Sequence, residues 1–429
     1  MEPININNYT HLTNLNLVNS VYINNILKEI KHLTNLKELN LHINNLYLDK
    51  IIKIPEDIKY LTNLQKLILS NNHVEVITED VKYLINLKEL YLYINNIKII
   101  PKEIKYLTKL EKLILSNNKI EIIPIEIKYL TELKEFIIAS NKIEIIPKEI
   151  KYLSKLEYLR LSNNKIKSIP VEIIYLTNLI SLDLEINYIN SILKNTKYFN
   201  ILESYNNNWL INLNKINLSN NKITIIPNEI KYLTNLQELK LYNNEIKIIP
   251  KNIKYLTNLE ELYLSNSKVK IIPKEIKYLT KLKKLNLEIN KITSIPQEIK
   301  YLTNLEYLSL PVNEIEFIPN EIRYLINLKL LNLSVNKITY IPNSIIYCIE
   351  LIEFYYNNNE IENISPIVTR FLNRLNNVMV IQIYNDNQNI HNHSIQESIF
   401  NSIVNIINQN YIINNETIIN NIMEDKILT

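Results

Sequence analysis

The sequence predicts an α/β solenoid. Its parallel β-sheet would curve along the concave face, with short helical or 3₁₀ turns on the convex face and a small α+β cap at the C-terminus. Three observations carry this. One phrase returns every 23 residues, from Leu110 through Leu133 and Leu156 to Leu179, and again from Leu213 to Leu351. Each phrase joins an alternating apolar segment to an Ile/Leu pair three residues apart. The third observation is an absence: the 429 residues contain no glycine, where average usage would give about 30.

The repeat is represented by Leu110-Glu-Lys-Leu113-Ile-Leu115-Ser-Asn-Asn118-Lys-Ile120-Glu-Ile-Ile-Pro124-Ile-Glu-Ile127-Lys-Tyr-Leu130. Its pattern is L-x-x-L-x-L-x-x-N-x-I-x-x-I-P-x-E-I-x-x-L-x-x. The x-L-x-L-x portion has period 2 and reads as a short strand with leucines on one face. Pro124 then opens a turn whose apolar side carries Ile127 and Leu130. One copy buries roughly seven aliphatic side chains at about 1.5–3 kcal/mol each, against roughly 1–2 kcal/mol per residue to fix the backbone. A single copy therefore loses, and stacked neighbours must supply the core. Further copies begin at Leu36, Leu64 and Leu87, with five extra residues around Asp49, and an irregular one opens at Leu12, giving fifteen in all.

Position nine is polar throughout: Asn44, Asn72, Asn95, Asn118, Asn141, Asn164, Asn187, Asn221, Asn244, Asn290, Asn313, Asn336 and Asn359, with Ser267 as substitute. An amide both donates and accepts, so a column of them can satisfy backbone groups freed where each strand turns away. This is a structural ladder rather than a binding site.

The motif resembles the leucine-rich-repeat family over roughly residues 10 to 365, and the I-P-x-E-I form is similar to its intracellular Ras-group subclass. The composition, rich in Asn, Ile, Lys and Tyr, also resembles the leucine-rich-repeat gene family of insect poxviruses. The resemblance implies a solenoid that binds a protein partner, a host protein if the chain is viral.

The expected organisation is an irregular N-terminal repeat or cap over 1–35, a first repeat block over 36–188, and an irregular repeat or insertion over 189–212. A second block follows over 213–365, then a C-terminal cap or effector module over 366–429. The 189–212 stretch falls in a 34-residue interval and holds Trp209, the one tryptophan. In the last region Ser365-Pro366 can start a helix to about Asn376, and Val378–Tyr384 reads as a strand. Ser394 and Glu397 form a capping box ahead of Ile395, Ile399 and Ile403, and a further helical stretch carries Ile418, Ile419, Ile422 and Met423.

The missing glycine excludes a P-loop, a dinucleotide fingerprint, a kinase glycine-rich loop and a G-x-S-x-G elbow. A lone cysteine, Cys348, cannot form an intrachain disulfide, which points to a reducing, cytoplasmic setting. Cys348 occupies an inward leucine slot, as Leu325 does one repeat earlier, so it reads as an inert small hydrophobe. The start of the chain shows no basic stretch before an apolar run, and no run of about 18 apolar residues suggests a membrane span. His391 and His393 near Asp386 supply too few ligands for a metal site. His42 and His73 read as solvated surface residues. No cofactor and no catalytic constellation are expected, and the chain reads as no enzyme.

What remains is the set of variable positions on the concave sheet. Ile68, Tyr91, Ile114, Ile137, Arg160 and Asp183 fall at the central strand position, with Tyr93 and Ala139 beside them. Exposed isoleucine and tyrosine on adjacent strands would form an apolar patch suited to a protein partner. Glu38, Lys66, Glu89, Lys112 and Glu135 alternate in sign alongside. Tyr242, Tyr263, Tyr307, Leu330 and Tyr355 form a secondary patch. The Lys-Tyr pairs before the convex leucine, such as Lys105-Tyr106, Lys128-Tyr129 and Lys231-Tyr232, could suggest nucleic acid. A glutamate two residues before each lysine (Glu103, Glu126, Glu229) and a net charge of only +4 disfavour it. Two further readings stay open: an adaptor recruiting a second machine, such as a ubiquitin ligase, through 366–429, and a structural or nucleic-acid-binding solenoid. The sequence is silent on oligomeric state.

Overall fold

The computed structural model describes residues 9–20, 26–43, 51–192, 210 and 212–375. The chain forms two units, Met1–Lys268 and Val269–Thr429. In the first, eleven three-residue strands run from Asn14–Asn16 to Glu261–Tyr263, each pairing in parallel with the next in chain order. Their middle residues form one column, from Leu15 and Leu39 through Leu113 and Phe136 to Leu262. Phe136 fills a leucine slot and is wholly buried. The second unit repeats the arrangement with four strands, Lys284–Asn286, Tyr307–Ser309, Leu330–Asn332 and Glu353–Tyr355, whose column is Leu285, Leu308, Leu331 and Phe354.

Among the described residues, successive strands from Glu38–Asn40 to Ser181–Asp183 and from Lys215–Asn217 to Glu353–Tyr355 are separated by a five-residue 3₁₀ turn, and the turn after the first strand, Ile30–His32, has three residues. In the representative repeat the five-residue turn is Ile125–Tyr129, preceded by extended Pro124 (φ −69°, ψ 152°) and closed by the Leu130 N–H donating to Ile127 O. Proline supplies the fixed φ and lacks the N–H that the turn would leave unpaired. Ile127 and Leu130 turn inward and are fully buried.

The amide column forms as expected at every position-nine asparagine except Asn44, which lies outside the described residues. Asn118 Nδ2 donates to Leu92 O at 2.9 Å and to Leu115 O at 3.0 Å, while its Oδ1 accepts the Ile97 N–H at 3.0 Å. Each amide thus joins backbone groups of two repeats. A second amide column, unremarked by the repeat pattern, runs along the other strand end: Asn86 Nδ2 donates to Thr62 O at 3.0 Å, and Asn178 Nδ2 to Ser154 O at 2.8 Å.

The residue before each ladder asparagine is left-handed. Asn71, Asn117 and Asn163 have φ of 56°, 56° and 53°, and the same conformation is imposed on Ile94 (56°), Ile186 (53°) and Ile289 (50°). Glycine would be the ordinary solution, and β-branched residues are the least suited to this region. The N–H of this residue links to the next repeat, as in Ile94 N–H donating to Ser116 O at 2.9 Å.

Length irregularities leave the sheet intact. Ser181–Asp183 pairs directly with Lys215–Asn217 across the 34-residue interval. Ile189 N–H reaches Asn221 Oδ1 at 2.9 Å across 32 residues, where other rungs span 21. Glu38–Asn40 likewise pairs directly with Lys66–Ile68, in the copy that carries five extra residues. At the other end residues 366–375 are helical and bury Val368, Phe371, Leu372 and Leu375. The expected strand over Val378–Tyr384, the Ser394 capping box, the last helical stretch, Trp209, and His391 and His393 lie outside the described residues.

Candidate partner-binding face

The pleat that sends Leu90 and Leu113 inward sends the residues on either side of them to the open face of the sheet. Register then sets their order. Ile68 stands opposite Tyr91, Tyr91 opposite Ile114, Ile114 opposite Ile137, Ile137 opposite Arg160, and Arg160 opposite Asp183. All six central residues therefore lie in one unbroken column, spaced by roughly 4.8 Å.

The column is less open than its composition suggests. Ile68, Tyr91, Tyr93, Ile114 and Ile137 are half-buried and only Arg160 is exposed, because neighbours one strand away cover each other's flanks. The Tyr91 hydroxyl donates to Glu89 Oε2 at 3.0 Å and its ring lies 5.8 Å from Lys66 Nζ. Burial, with the Glu89 carboxylate beside it, pushes the Tyr91 phenol well above the usual range. Lys66 stands between Glu38 and Glu89 at 3.6 Å from each, and Lys112 meets Glu135 at 2.7 Å, so the alternating charges pair across strands. His42 differs from expectation: it is half-buried, with its ring 5.9 Å from that of Tyr93. His73 is exposed.

The apolar run ends at a polar junction. Arg160 Nε lies 3.4 Å from Asp183 Oδ2. Burial raises the Asp183 carboxyl, opposed by the Glu185 N–H that it accepts and by Arg160. Two residues on, Glu185 accepts from Asn217 Nδ2 at 2.8 Å, Asn220 Nδ2 at 2.9 Å and the Tyr242 hydroxyl at 2.6 Å. Burial, then this bond to Glu185, pushes the Tyr242 phenol up to about 12. A cleft of about 270 Å³ opens here between Ile137, Tyr158, Arg160 and Asp183. Sequence reasoning passed over Glu185, although it holds the same repeat position as Tyr93 and Ala139.

The secondary patch does not form a single column. Tyr242 and Tyr263 belong to the first unit, where the Tyr263 hydroxyl donates to Glu261 Oε2 at 2.8 Å. In the second unit Tyr307 stands opposite Leu330 at the first strand position, whereas Tyr355 stands opposite Asn332 at the third.

The convex Lys-Tyr pairs are engaged within the repeat. Lys105 Nζ lies 5.1 Å from the Tyr106 ring centroid, Lys128 5.2 Å from Tyr129, and Lys231 4.6 Å from Tyr232. Cys348 is buried, its Sγ 3.3 Å from the Ile322 carbonyl oxygen, and burial pushes its thiol up to about 12. Among the described residues no group of three His, Cys, Asp or Glu side chains could hold a metal ion, and no helix is long and apolar enough to cross a membrane.

Comparison with known proteins agrees with this architecture. Models of the leucine-rich repeat match residues 62–120, 131–189 and 280–338, and a leucine-rich repeat region model matches 194–306. No curated protein matches the sequence. A leucine-rich-repeat protein of Leptospira interrogans is 34% identical, covering 87% of this chain and 91% of that one with a TM-score of 0.76. A plant peptide hormone receptor, RGFR1, solved in complex with RGF2, is 27% identical over 82% of this chain and 64% of its own, with a TM-score of 0.60. An internalin, InlF, from Listeria monocytogenes shares the fold at 22% identity, 86% coverage of both chains and a TM-score of 0.58. The recurring phrase, the ordered parallel strands, the amide ladder and the Leptospira relative together establish that this chain belongs to the leucine-rich-repeat family.

Proposed function

We propose that the chain is a non-enzymatic interaction scaffold that captures a protein partner on the concave face of its first unit, through Ile68, Tyr91, Tyr93, Ile114, Ile137, Arg160 and Asp183. The leucine-rich-repeat fold is in general a protein-interaction module. The observation carrying the reading is the in-register column, in which four apolar residues lead to an Arg160–Asp183 junction beside a cleft. Apolar and aromatic groups already half-covered lose little side-chain freedom on binding, so the exposed remainder converts efficiently to affinity. Arg160 and Asp183 then select a partner by charge. Likeness to a peptide hormone receptor in complex with RGF2 supports a polypeptide as the captured class. The lone buried thiol fits a cytoplasmic setting, and the compositional resemblance to insect-poxvirus chains makes a host protein the first class to screen.

A photo-crosslinking residue at Ile114 should trap the partner, whereas the same residue at convex Tyr129 should not. Tyr91→Ser, Tyr93→Ser and Ile114→Ser combined should abolish capture while the chain stays folded. Capture that survives this change removes the column from the site.

A further inference from the structure

The most exposed aliphatic side chains of the first unit lie away from its open face. Position 13 of the repeat, where the pattern specifies no residue, holds Val76, Ile99, Ile122 and Ile145 in four consecutive copies, 57%, 72%, 72% and 74% exposed. The run is interrupted at Ser168 and Ser191, and the position is isoleucine again at Ile225 and Ile248, 68% and 72% exposed. One exposed isoleucine is ordinary, but four at strand spacing make a continuous apolar stripe.

Its flanks carry opposite charge. Three residues before Ile122 and Ile145 come Lys119 and Lys142, and four residues after them, past the proline, come Glu126 and Glu149. The Ser168 copy that interrupts the run carries Lys165 and Glu172 at the same two places, whereas Val76 and Ile99 follow His73 and Asn96 and precede Asp80 and Glu103. None of these three lysines, nor Glu126, Glu149 or Glu172, takes part in an ion pair among the described residues. Neighbouring columns are neutralised within the chain, as in Lys134–Glu111 at 2.8 Å and Lys167–Glu144 at 2.8 Å.

We propose that this flank binds a second copy of the chain about a two-fold axis running along the stripe. That axis lays isoleucine on isoleucine and exchanges the flanks, so the lysine column of each copy faces the glutamate column of the other. An axis across the stripe would set lysine against lysine. Each aliphatic side chain offers about 100 Å² at most, so the four on each copy cover about half of the roughly 800 Å² per partner typical of a stable complex. The charged stems supply the remainder. The dimer is therefore of modest affinity, roughly 1–100 µM, and sensitive to salt. This surface is separate from the concave column and does not depend on its role.

Sedimentation equilibrium of the full chain between about 1 and 200 µM should show a monomer–dimer equilibrium, weakened at least about threefold between 50 and 500 mM salt. Ile99→Ser, Ile122→Ser and Ile145→Ser together should give a monomer with an unchanged denaturant midpoint. Lys119→Glu, Lys142→Glu and Lys165→Glu together should also give a monomer, as should Glu126→Lys, Glu149→Lys and Glu172→Lys together. Mixing these two charge-reversed chains should restore the dimer. A wild-type chain monomeric throughout, a dimer that survives the three serines, or a mixture that stays monomeric would each overturn the proposal.

Discussion

Asn118 and Ile114 stand four residues apart in one repeat, and both belong to columns that return every 23 residues. Along the first column the residue hardly changes, whereas along the second it passes from Ile and Tyr to Arg and Asp. The difference follows from what each side chain touches. Asn118 bridges the backbones of two repeats, its Nδ2 sharing Leu92 O with Asn95 and Leu115 O with Asn141 while its Oδ1 takes the Ile97 N–H, so only a donor–acceptor side chain of its length will do. Ile114 touches neighbouring side chains and solvent, where many residues fit. Constancy along the stack marks backbone debt, and variation marks surface free to specialise.

The sharpest way to break that contrast is to exchange its terms. Asn164→Leu removes donors to Ile138 O at 3.1 Å and Leu161 O at 3.0 Å and the acceptor for Ile143 N–H at 3.0 Å. It should cost about 1–3 kcal/mol in urea unfolding, while Ile114→Thr should cost less than about 1 kcal/mol. Equal midpoints would dissolve the distinction.

Ser267 offers the opposite experiment. Its hydroxyl is buried without a hydrogen-bond partner and is too short to replace an amide. The Ile246 N–H consequently lacks the acceptor that its equivalents enjoy elsewhere. Ser267→Asn should complete the rung and gain about 0.5–1.5 kcal/mol, measured as a higher denaturant midpoint.

A related gain is available one residue before the ladder. Ile94 is 45% exposed and held at φ 56°, a region costly to β-branched residues. Asn fills the same place in other repeats, so Ile94→Asn should stabilise by about 0.5–1 kcal/mol. A loss of stability would mean that the isoleucine packs more than its exposure implies.

These cases show what the repeat made legible. The period tells which residues share a column, so the strands, Pro-led turns, amide ladder and open-face column could all be read before any coordinates. Depth within a column is another matter. Ile114 and Ile122 are the same residue type eight positions apart, yet one is half-buried and the other 72% exposed. That contrast arises from neighbouring strands and the path of the chain toward Pro124, and it has no local sequence signal. Glu185 escaped for a similar reason, since its three donors come from residues 32 to 57 positions away. The need for a left-handed residue at Ile94 was equally hidden, because a glycine-free chain carries no marker of it.

The smallest expected effect tests the polar end of the open face against its apolar end. Burial raises the Asp183 carboxyl in the folded chain, so the neutral form is the one folding prefers. Its favourable contribution is complete below the ordinary carboxylate value near about 3.9 and is lost as pH rises through the higher folded value. Asp183→Asn imitates the neutral form and retains an oxygen for the Glu185 N–H, at 3.1 Å in the native chain. The variant should therefore unfold at higher urea than wild type at pH 7, with the gap closing toward pH 3. A gap independent of pH would assign the junction's energetics to shape alone, and would leave Arg160, rather than the carboxylate, as the group that sets charge preference on this face.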